Sequence, residues 1–277
     1  MREAFLLLGC LAIARGYNPS AAFVRERNAM NEDVLVEEEA SGLSQIERVA
    51  DVFVAPAATF LDILRSTSWW LPFLLVVVFS TGSTVAIDRQ VGFDRVAENQ
   101  VQASPKQTEQ LAELTPESQA TQMRQRAMGT RYFMYAMPVF LLLLFAIYAG
   151  ILLGSFNFGL GANLTYGQVF AVTWYAALPY LLISLLTIVN VCFGSNAESF
   201  DLQNPAGTNL AYYLPDMAPW LKALLTQIDI IKLWTVALTV MGMKIVSKKS
   251  LGQAAAVVIG WWLLAVLGSV AATAIFS

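Results

Sequence analysis

Few side chains in this sequence are suited to chemistry, and the clearest pair is Asp229 and Lys232. The two lie three residues apart at the start of an apolar stretch, so in a helix they share a face and can pair. An ionisable pair at the end of a membrane-buried segment is typical of the mouth of an ion or solute path. In the first turn of a helix, however, both side chains can also reach water, so they could simply lie at the membrane surface without a role in transport.

Enzyme chemistry has little support in the composition. The sequence contains no histidine, which removes the commonest general base and zinc ligand. The cysteines, Cys10 and Cys192, show no paired spacing, and we find no phosphate-binding loop and no serine nucleophile elbow. Asp229 is the best candidate acid for an intramembrane enzyme, but one carboxylate without a positioned partner supports it poorly. We therefore expect a protein that is not an enzyme and has no cofactor, no metal and no nucleic-acid partner.

Polar side chains inside two apolar stretches form a second set of candidates. Their spacing places each group on one helix face. If the two faces meet, the hydroxyl groups can satisfy one another at about 1 kcal/mol or less per contact. The functional alternative is a polar crevice for an ion or small solute. The residues are Thr173, Tyr180, Ser184, Thr187 and Asn190 in the first stretch, and Lys232, Thr235 and Thr239 after Asp229 in the second.

Small residues recur at four-residue intervals in two other apolar stretches. Ala146, Gly150 and Gly154 share one face of a helix, and Gly268 and Ala272 form a similar pair near the end of the sequence. Small side chains let two membrane helices approach closely. The spacing predicts a helix contact within the bundle, with an interface between two copies of the chain as the alternative.

The elements that carry these residues are five stretches long and apolar enough to cross a bilayer. Hydrophobic residues make up 57% of the sequence and charged residues only 13%, far from soluble-globular usage. The sequence predicts an all-α polytopic membrane protein with a five-helix transmembrane bundle. The predicted spans are residues 69–87, 133–156, 168–193, 229–246 and 254–276.

The first 44 residues are predicted to be a tail outside the bundle. Residues 31–44 are acidic and lack aromatic side chains, as in solvated tails. Residues 4–14 are apolar but too short to span a bilayer. They fit a misassigned start, with translation beginning at Met30, or a signal peptide or lipid anchor, or a short interfacial helix; the first of these is our preferred interpretation for residues 1–29.

Two further segments are predicted outside the spans. In residues 45–68, apolar and charged side chains alternate at helical spacing, which predicts an amphipathic helix at the membrane surface, interrupted at Pro56, or a helix packed on other protein surface. Residues 88–132 are polar and contain two helix starts, Ser104-Pro105 and Thr115-Pro116. This loop is a candidate docking surface for a soluble protein, or else a solvated connector.

Orientation follows from the distribution of basic residues. Five spans place the two ends of the bundle domain on opposite sides of the membrane. A cytoplasmic N-terminus puts the compact cluster Lys244, Lys248 and Lys249 inside, and long loops such as 88–132 translocate with less regard to charge. We therefore expect the N-terminus in the cytoplasm and the C-terminus outside.

Three segments together resemble a known family. They are FVAPAATFLDIL before the first span, FAVTWYAALPYLL in the third span, and NPAG followed by IDIIKLWTVALTVMG and a Lys-Lys-Ser turn. In this order and spacing they resemble the Yip family of Ypt/Rab-interacting proteins, particularly its prokaryotic branch, over about residues 52–276. The residues that carry the resemblance are Pro56, Trp174, Pro179, Asn204, Pro205, Asp229, Trp234 and Gly242.

The resemblance implies a five-span bundle with a cytoplasmic N-terminus, in a prokaryotic cytoplasmic membrane. Eukaryotic members are associated with small GTPases and with the shaping of secretory membranes, but the long charged first loop departs from their pattern. We expect a scaffold that organises membrane or recruits partners, with a small-solute or ion transporter as the alternative. The expected partners are the bilayer, a soluble protein at the N-terminal region or at loop 88–132, and a second copy of the chain as an open possibility.

Overall fold

The computed structural model describes residues 42–194, 197–214 and 217–276. The predicted tail therefore lies outside the described residues, apart from its last three positions. Every regular element in the described part of the chain is helical. The α-helices are α1 Gln45–Val54, α2 Pro56–Asp62, α3 Trp70–Gln90, α4 Phe93–Gln102, α5 Pro105–Ala112, α6 Pro116–Gly154, α7 Tyr166–Ala176, α8 Tyr180–Val189, α9 Pro219–Gln227, α10 Ile230–Ser247 and α11 Leu251–Phe276.

Five helical stretches are long and apolar enough to cross a membrane. In chain order, we call them spans one to five: Trp70–Gln90, Pro116–Gly159, Tyr166–Gly194, Ile230–Ser247 and Leu251–Ile275. The protein is thus an all-α, multi-pass integral membrane protein, as its sequence predicts. Since successive spans alternate in direction, span one begins and span four ends at one end of the bundle, which we call the near end. The opposite end is the far end.

Span two belongs to a helix much longer than its apolar part. Thr115 caps α6 by accepting a hydrogen bond from the Ser118 amide, as the Thr115-Pro116 pair predicts. From there α6 continues for 39 residues without a break. Its first half therefore extends from the far end of the bundle as a rod of about 25 Å, at about 1.5 Å per residue.

Span three is broken near its middle. Helix α7 ends at Ala176 and α8 begins at Tyr180, with Pro179 at the junction. Proline has no amide hydrogen to donate to the helix, and its ring clashes with the preceding turn. The predicted third span, residues 168–193, therefore contains a break, although its helices together form one stretch long enough to cross a membrane.

A separate apolar core lies at the far end. Helix α4 packs against the first half of α6 and against residues that follow span three. The Asp88 carboxylate at the end of span one accepts hydrogen bonds from Arg131 and Tyr135 of α6, both at 3.0 Å. Loop 88–132 is therefore a folded helical module joined to the bundle. The core comprises Ile87, Phe93, Val96, Ala97, Ala127, Val191 and Phe200.

Candidate functional site

Asp229 caps span four and holds the preceding loop against it. Its Oδ1 accepts hydrogen bonds from the amides of Ile231, at 2.8 Å, and Lys232, at 3.2 Å. Its Oδ2 accepts from the Thr208 hydroxyl and from Asn209 Nδ2. The carboxylate is only 2% exposed. One side chain thus accepts hydrogen bonds from the free amides at the start of the helix and also binds the preceding loop.

The loop is braced by a second set of amides. Asn204 and Asn209 are buried and bond to each other, with Asn209 Nδ2 donating to Asn204 Oδ1 at 2.8 Å. Asn190, at the end of span three, donates to the Pro205 carbonyl at 3.0 Å. The NPAG segment therefore connects the far ends of spans three and four.

Lys232 does not form an ion pair with Asp229. Its Nζ donates instead to the Thr226 carbonyl at 2.9 Å and to Gln227 Oε1 at 3.1 Å. These acceptors lie at the end of α9, where helix carbonyls lack partners of their own. The expected pairing fails because the Asp229 carboxylate is fully used by the loop and by the first helix turn.

Gly242 allows a close approach of α2 and α7 to span four. A Cβ at this position would lie 2.6 Å from Val172 Cγ1 of α7 and 2.9 Å from the Phe60 ring of α2. Only a residue without a side chain allows this packing. At this level, spans three and four touch directly.

Helices α1 and α2 form a hairpin packed along span four. Phe53 at the end of α1 contacts Trp234 edge to face, with ring centroids 5.7 Å apart. Val52, Phe60 and Ile63 are fully buried in the main core. One face of this segment therefore packs on the rest of the protein. Pro56 begins α2 after the turn at Ala55.

A buried ion pair, which the sequence analysis did not predict, joins the two helices of this hairpin. Arg48 is 0% exposed and contacts Asp62 Oδ2 at 2.5 Å. Its Nη1 also donates to the Ser66 carbonyl at 2.8 Å. The partners are fourteen residues apart and meet only because the chain reverses between α1 and α2. Burial raises the pKa of the Asp62 carboxyl, but hydrogen bonds and charge from Arg65 and Arg48 outweigh it and hold the pKa below 3.8.

The predicted hydroxyl faces do not hydrogen-bond across the helices. Thr173, Thr187 and Thr239 each donate to the carbonyl four residues earlier in their own helix. The Thr235 hydroxyl is buried and has no partner among the described residues. The break at Pro179 also separates Thr173 from Tyr180 and Ser184, so the assumed common face is lost. Threonine hydroxyl groups commonly bond back within a helix.

The small residues predicted as helix contacts have different surroundings. At Gly150, Gly154 and Gly268, an added Cβ would have no neighbouring atom within 4 Å. Ala272 is exposed, whereas Ala146 packs against the main core. Spacing alone could not separate these glycines from Gly242, because it shows a small face but not what lies opposite.

Trp174 lies at the centre of an aromatic cluster between spans one, two and three. It is 0% exposed and contacts Trp69, Phe73, Phe145 and Phe170. Its indole nitrogen has no hydrogen-bond partner among the described residues. The side chain therefore acts here as an apolar anchor.

The three segments that carry the resemblance converge on one helix. The first contacts span four through Phe53 and Phe60, the second through Val172, and the NPAG segment through Thr208 and Asn209. The model of the Yip1 domain matches residues 50–272. The chain belongs to the Yip1 domain family. No curated protein and no solved structure matches it.

Within this Yip1 domain, the residues of the resemblance connect structural elements. Asp229, Trp234 and Gly242 receive the other segments along span four, while Pro56 and Pro179 set the breaks in the chain. In the part of the chain that the structure describes, no three acidic or cysteine side chains lie close enough to hold a metal ion. The arrangement is suited to fixing the mutual positions of helices.

Proposed function

We propose that this Yip1-domain protein is a non-enzymatic scaffold that organises the membrane and recruits partners. The observation that carries the proposal is the use of the family residues. Asp229, Asn204, Trp234 and Gly242 are all occupied in joining helices to span four, and the described part of the chain leaves none of them presented to a substrate. Such a frame keeps surface elements in fixed positions.

The far-end module is the proposed recruitment surface. It has its own apolar core, and α6 presents the opposite face to water. A shallow groove runs along this exposed face, and the exposed side chain of Leu114 forms part of its lining. Its lining residues are Leu114, Glu117, Ser118, Thr121, Gln122 and Gln125. An apolar side chain surrounded by polar side chains is typical of a surface through which one protein binds another.

Site-specific crosslinking tests this surface. A photoreactive residue at Gln125 would be activated in intact membranes, and the crosslinked proteins would be identified after solubilisation. The matched control is the same residue at Gln102, which is exposed at the end of α4 but outside the groove. We expect a defined protein to crosslink at Gln125 and not at Gln102.

Substitution provides the second arm of this test. Gln125→Arg places a bulky charge in the groove, whereas Gln102→Arg makes the same chemical change elsewhere on the module. We expect the first variant to lose its partner and the second to keep it. Identical crosslinked proteins at both positions, or a partner that survives Gln125→Arg, would rule out this surface.

A transport path between spans three and four is the second candidate. It is favoured by the buried Thr235 hydroxyl, which has no partner in the described part of the chain. The direct contact of Gly242 with Val172 weighs against a continuous path. Reconstituted protein would be assayed for flux over a broad solute panel, with Asp229→Asn and Lys232→Gln as variants. Protein-dependent flux that both variants reduce would favour transport over the scaffold.

The orientation forms part of the proposal. We place the protein in a prokaryotic cytoplasmic membrane with its N-terminus in the cytoplasm, so that the far-end module lies outside. The basic cluster Lys244, Lys248 and Lys249 at the near end supports this arrangement. Reporter fusions at the two ends should give opposite compartments, and a reversed result would move the module to the cytoplasm.

A further inference from the structure

The turn of the α1–α2 hairpin carries no charged side chain. Residues 52–61, which include the turn, contain no charged residue. Glu47, Arg48 and Asp51 precede this stretch, and Asp62 follows it. The 2.5 Å contact between Arg48 and Asp62 joins the two limbs below the turn. Ala55 therefore lies at an uncharged tip.

The tip lies well inside the length of span four. Phe53 contacts Trp234, and Phe60 packs on Gly242. Both partners belong to the span Ile230–Ser247. Trp234 lies thirteen residues before Ser247, which is about 20 Å along the helix from its near end. A hairpin lying flat on the near-end surface could not make the contact with Trp234.

The outer face of the hairpin is apolar and uncovered. Ile46 is 76% exposed, Val54 is 79% exposed and Leu61 is 57% exposed. Exposed apolar side chains that lie beside a membrane-spanning helix are in contact with the acyl chains of lipids. The length allows insertion, because ten residues of α1 reach about 15 Å into a hydrocarbon core of about 30 Å.

We propose that the hairpin is a re-entrant element that inserts into the hydrocarbon core from the near end, with lipid acyl chains as its partner. It enters from the near end, turns at Ala55 and returns to the same side before span one. The buried Arg48–Asp62 pair lets charged residues enter with it, because each charge is neutralised by the other. The inference does not depend on the scaffold function.

Depth-dependent fluorescence quenching tests the proposal in the full-length protein. In a Cys10→Ser, Cys192→Ser background, Val54→Cys would be labelled with an environment-sensitive fluorophore and reconstituted in phosphatidylcholine vesicles. Lipids with a nitroxide at acyl carbon 5 or 12 then report shallow or deep position. Leu263→Cys, a lipid-facing site in the middle of span five, is the deep control, and Lys248→Cys is the shallow one.

We expect the ratio of deep to shallow quenching at Val54 to exceed one, as at Leu263. A ratio below one, as at Lys248, overturns the proposal and places the hairpin at the surface. Ala57→Cys, near the tip on α2, provides a second probe if the Val54 variant fails to fold. Elution of each variant as wild type in size-exclusion chromatography confirms that it is folded.

Discussion

Val172 of span three and Gly242 of span four are in such close contact that no side chain fits between them. A Cβ on Gly242 would approach Val172 Cγ1 to 2.6 Å. The same glycine receives the Phe60 ring from the hairpin. Three separate segments of the Yip1 domain thus depend on one position for their mutual packing.

Gly242→Ala is expected to destabilise the protein. The new methyl group must displace Val172 and Phe60, and overpacking of this kind costs about 1–3 kcal/mol. The measurement is the midpoint of unfolding in detergent, by heat or by added denaturing detergent. Gly150→Ala is the matched control, since its Cβ meets no atom within 4 Å. Equal stability of the two variants would contradict the packing at Gly242.

Asp229→Ala should weaken span four more than a surface change of the same kind. It removes the acceptor of four hydrogen bonds, two of them at the helix start. Loss of a helix cap alone costs about 1 kcal/mol, and the Thr208 hydroxyl, left without its acceptor, adds to this. The control is Asp201→Ala, which removes a partly exposed ion pair with Lys222 and should cost less than about 1 kcal/mol. Hydrogen exchange at the first turn of α10 would locate the effect.

Arg48→Met should cost about 2 kcal/mol, because the largely buried Asp62 loses one of its two guanidinium partners and keeps Arg65. The double variant Arg48→Met, Asp62→Leu should recover part of that loss, since no charge is then left in the core. Arg95→Ala breaks an exposed pair with Glu98 and should cost less than about 1 kcal/mol. Unfolding midpoints of the four proteins, wild type included, decide the matter. A double variant less stable than Arg48→Met would contradict a buried pair.

The contribution of Asp62 should depend on pH. Its pKa in the folded protein lies below the ordinary 3.8, so its stabilising effect is present above that value and is lost as the pH falls through the folded pKa. The difference in unfolding free energy between wild type and Asp62→Asn should therefore shrink as the pH is lowered from 6 to 3. Using the difference removes the effect of other carboxylates. A difference that stays constant over this range would count against the ion pair.

Thr235→Val should leave stability unchanged or raise it by about 1 kcal/mol. The substitution keeps the side-chain shape and removes a buried hydroxyl that has no partner in the described part of the chain. Thr239→Val is the matched change one turn later, where the hydroxyl donates to the Thr235 carbonyl at 2.8 Å. It should be destabilising by about 0.5–1 kcal/mol. The opposite order of the two midpoints would show that Thr235 has a partner.

The sequence is sufficient to predict the five apolar helices and the start of α6, because length, apolarity and capping are local properties. The sequence also indicates the break in span three, because Pro179 lies in the middle of that span. The regular spacing of the hydroxyl residues led us to assume one continuous face there. The Arg48–Asp62 pair could not be predicted in this way. It depends on a chain reversal that brings together residues fourteen positions apart. The difference between Gly242 and Gly150 likewise depends on what packs opposite each glycine, which local spacing does not encode.

The double role of Asp229 has a consequence for biogenesis. The carboxylate that caps α10 also holds Thr208 and Asn209, which emerge from the ribosome before span four does. Span four can enter the bilayer on its apolarity alone, and Asp229 Oδ1 can cap its first turn at once, whereas Oδ2 gains its partners only when the preceding loop has folded against it. The final seating of this helix is therefore a late event in assembly, timed by a segment outside the lipid.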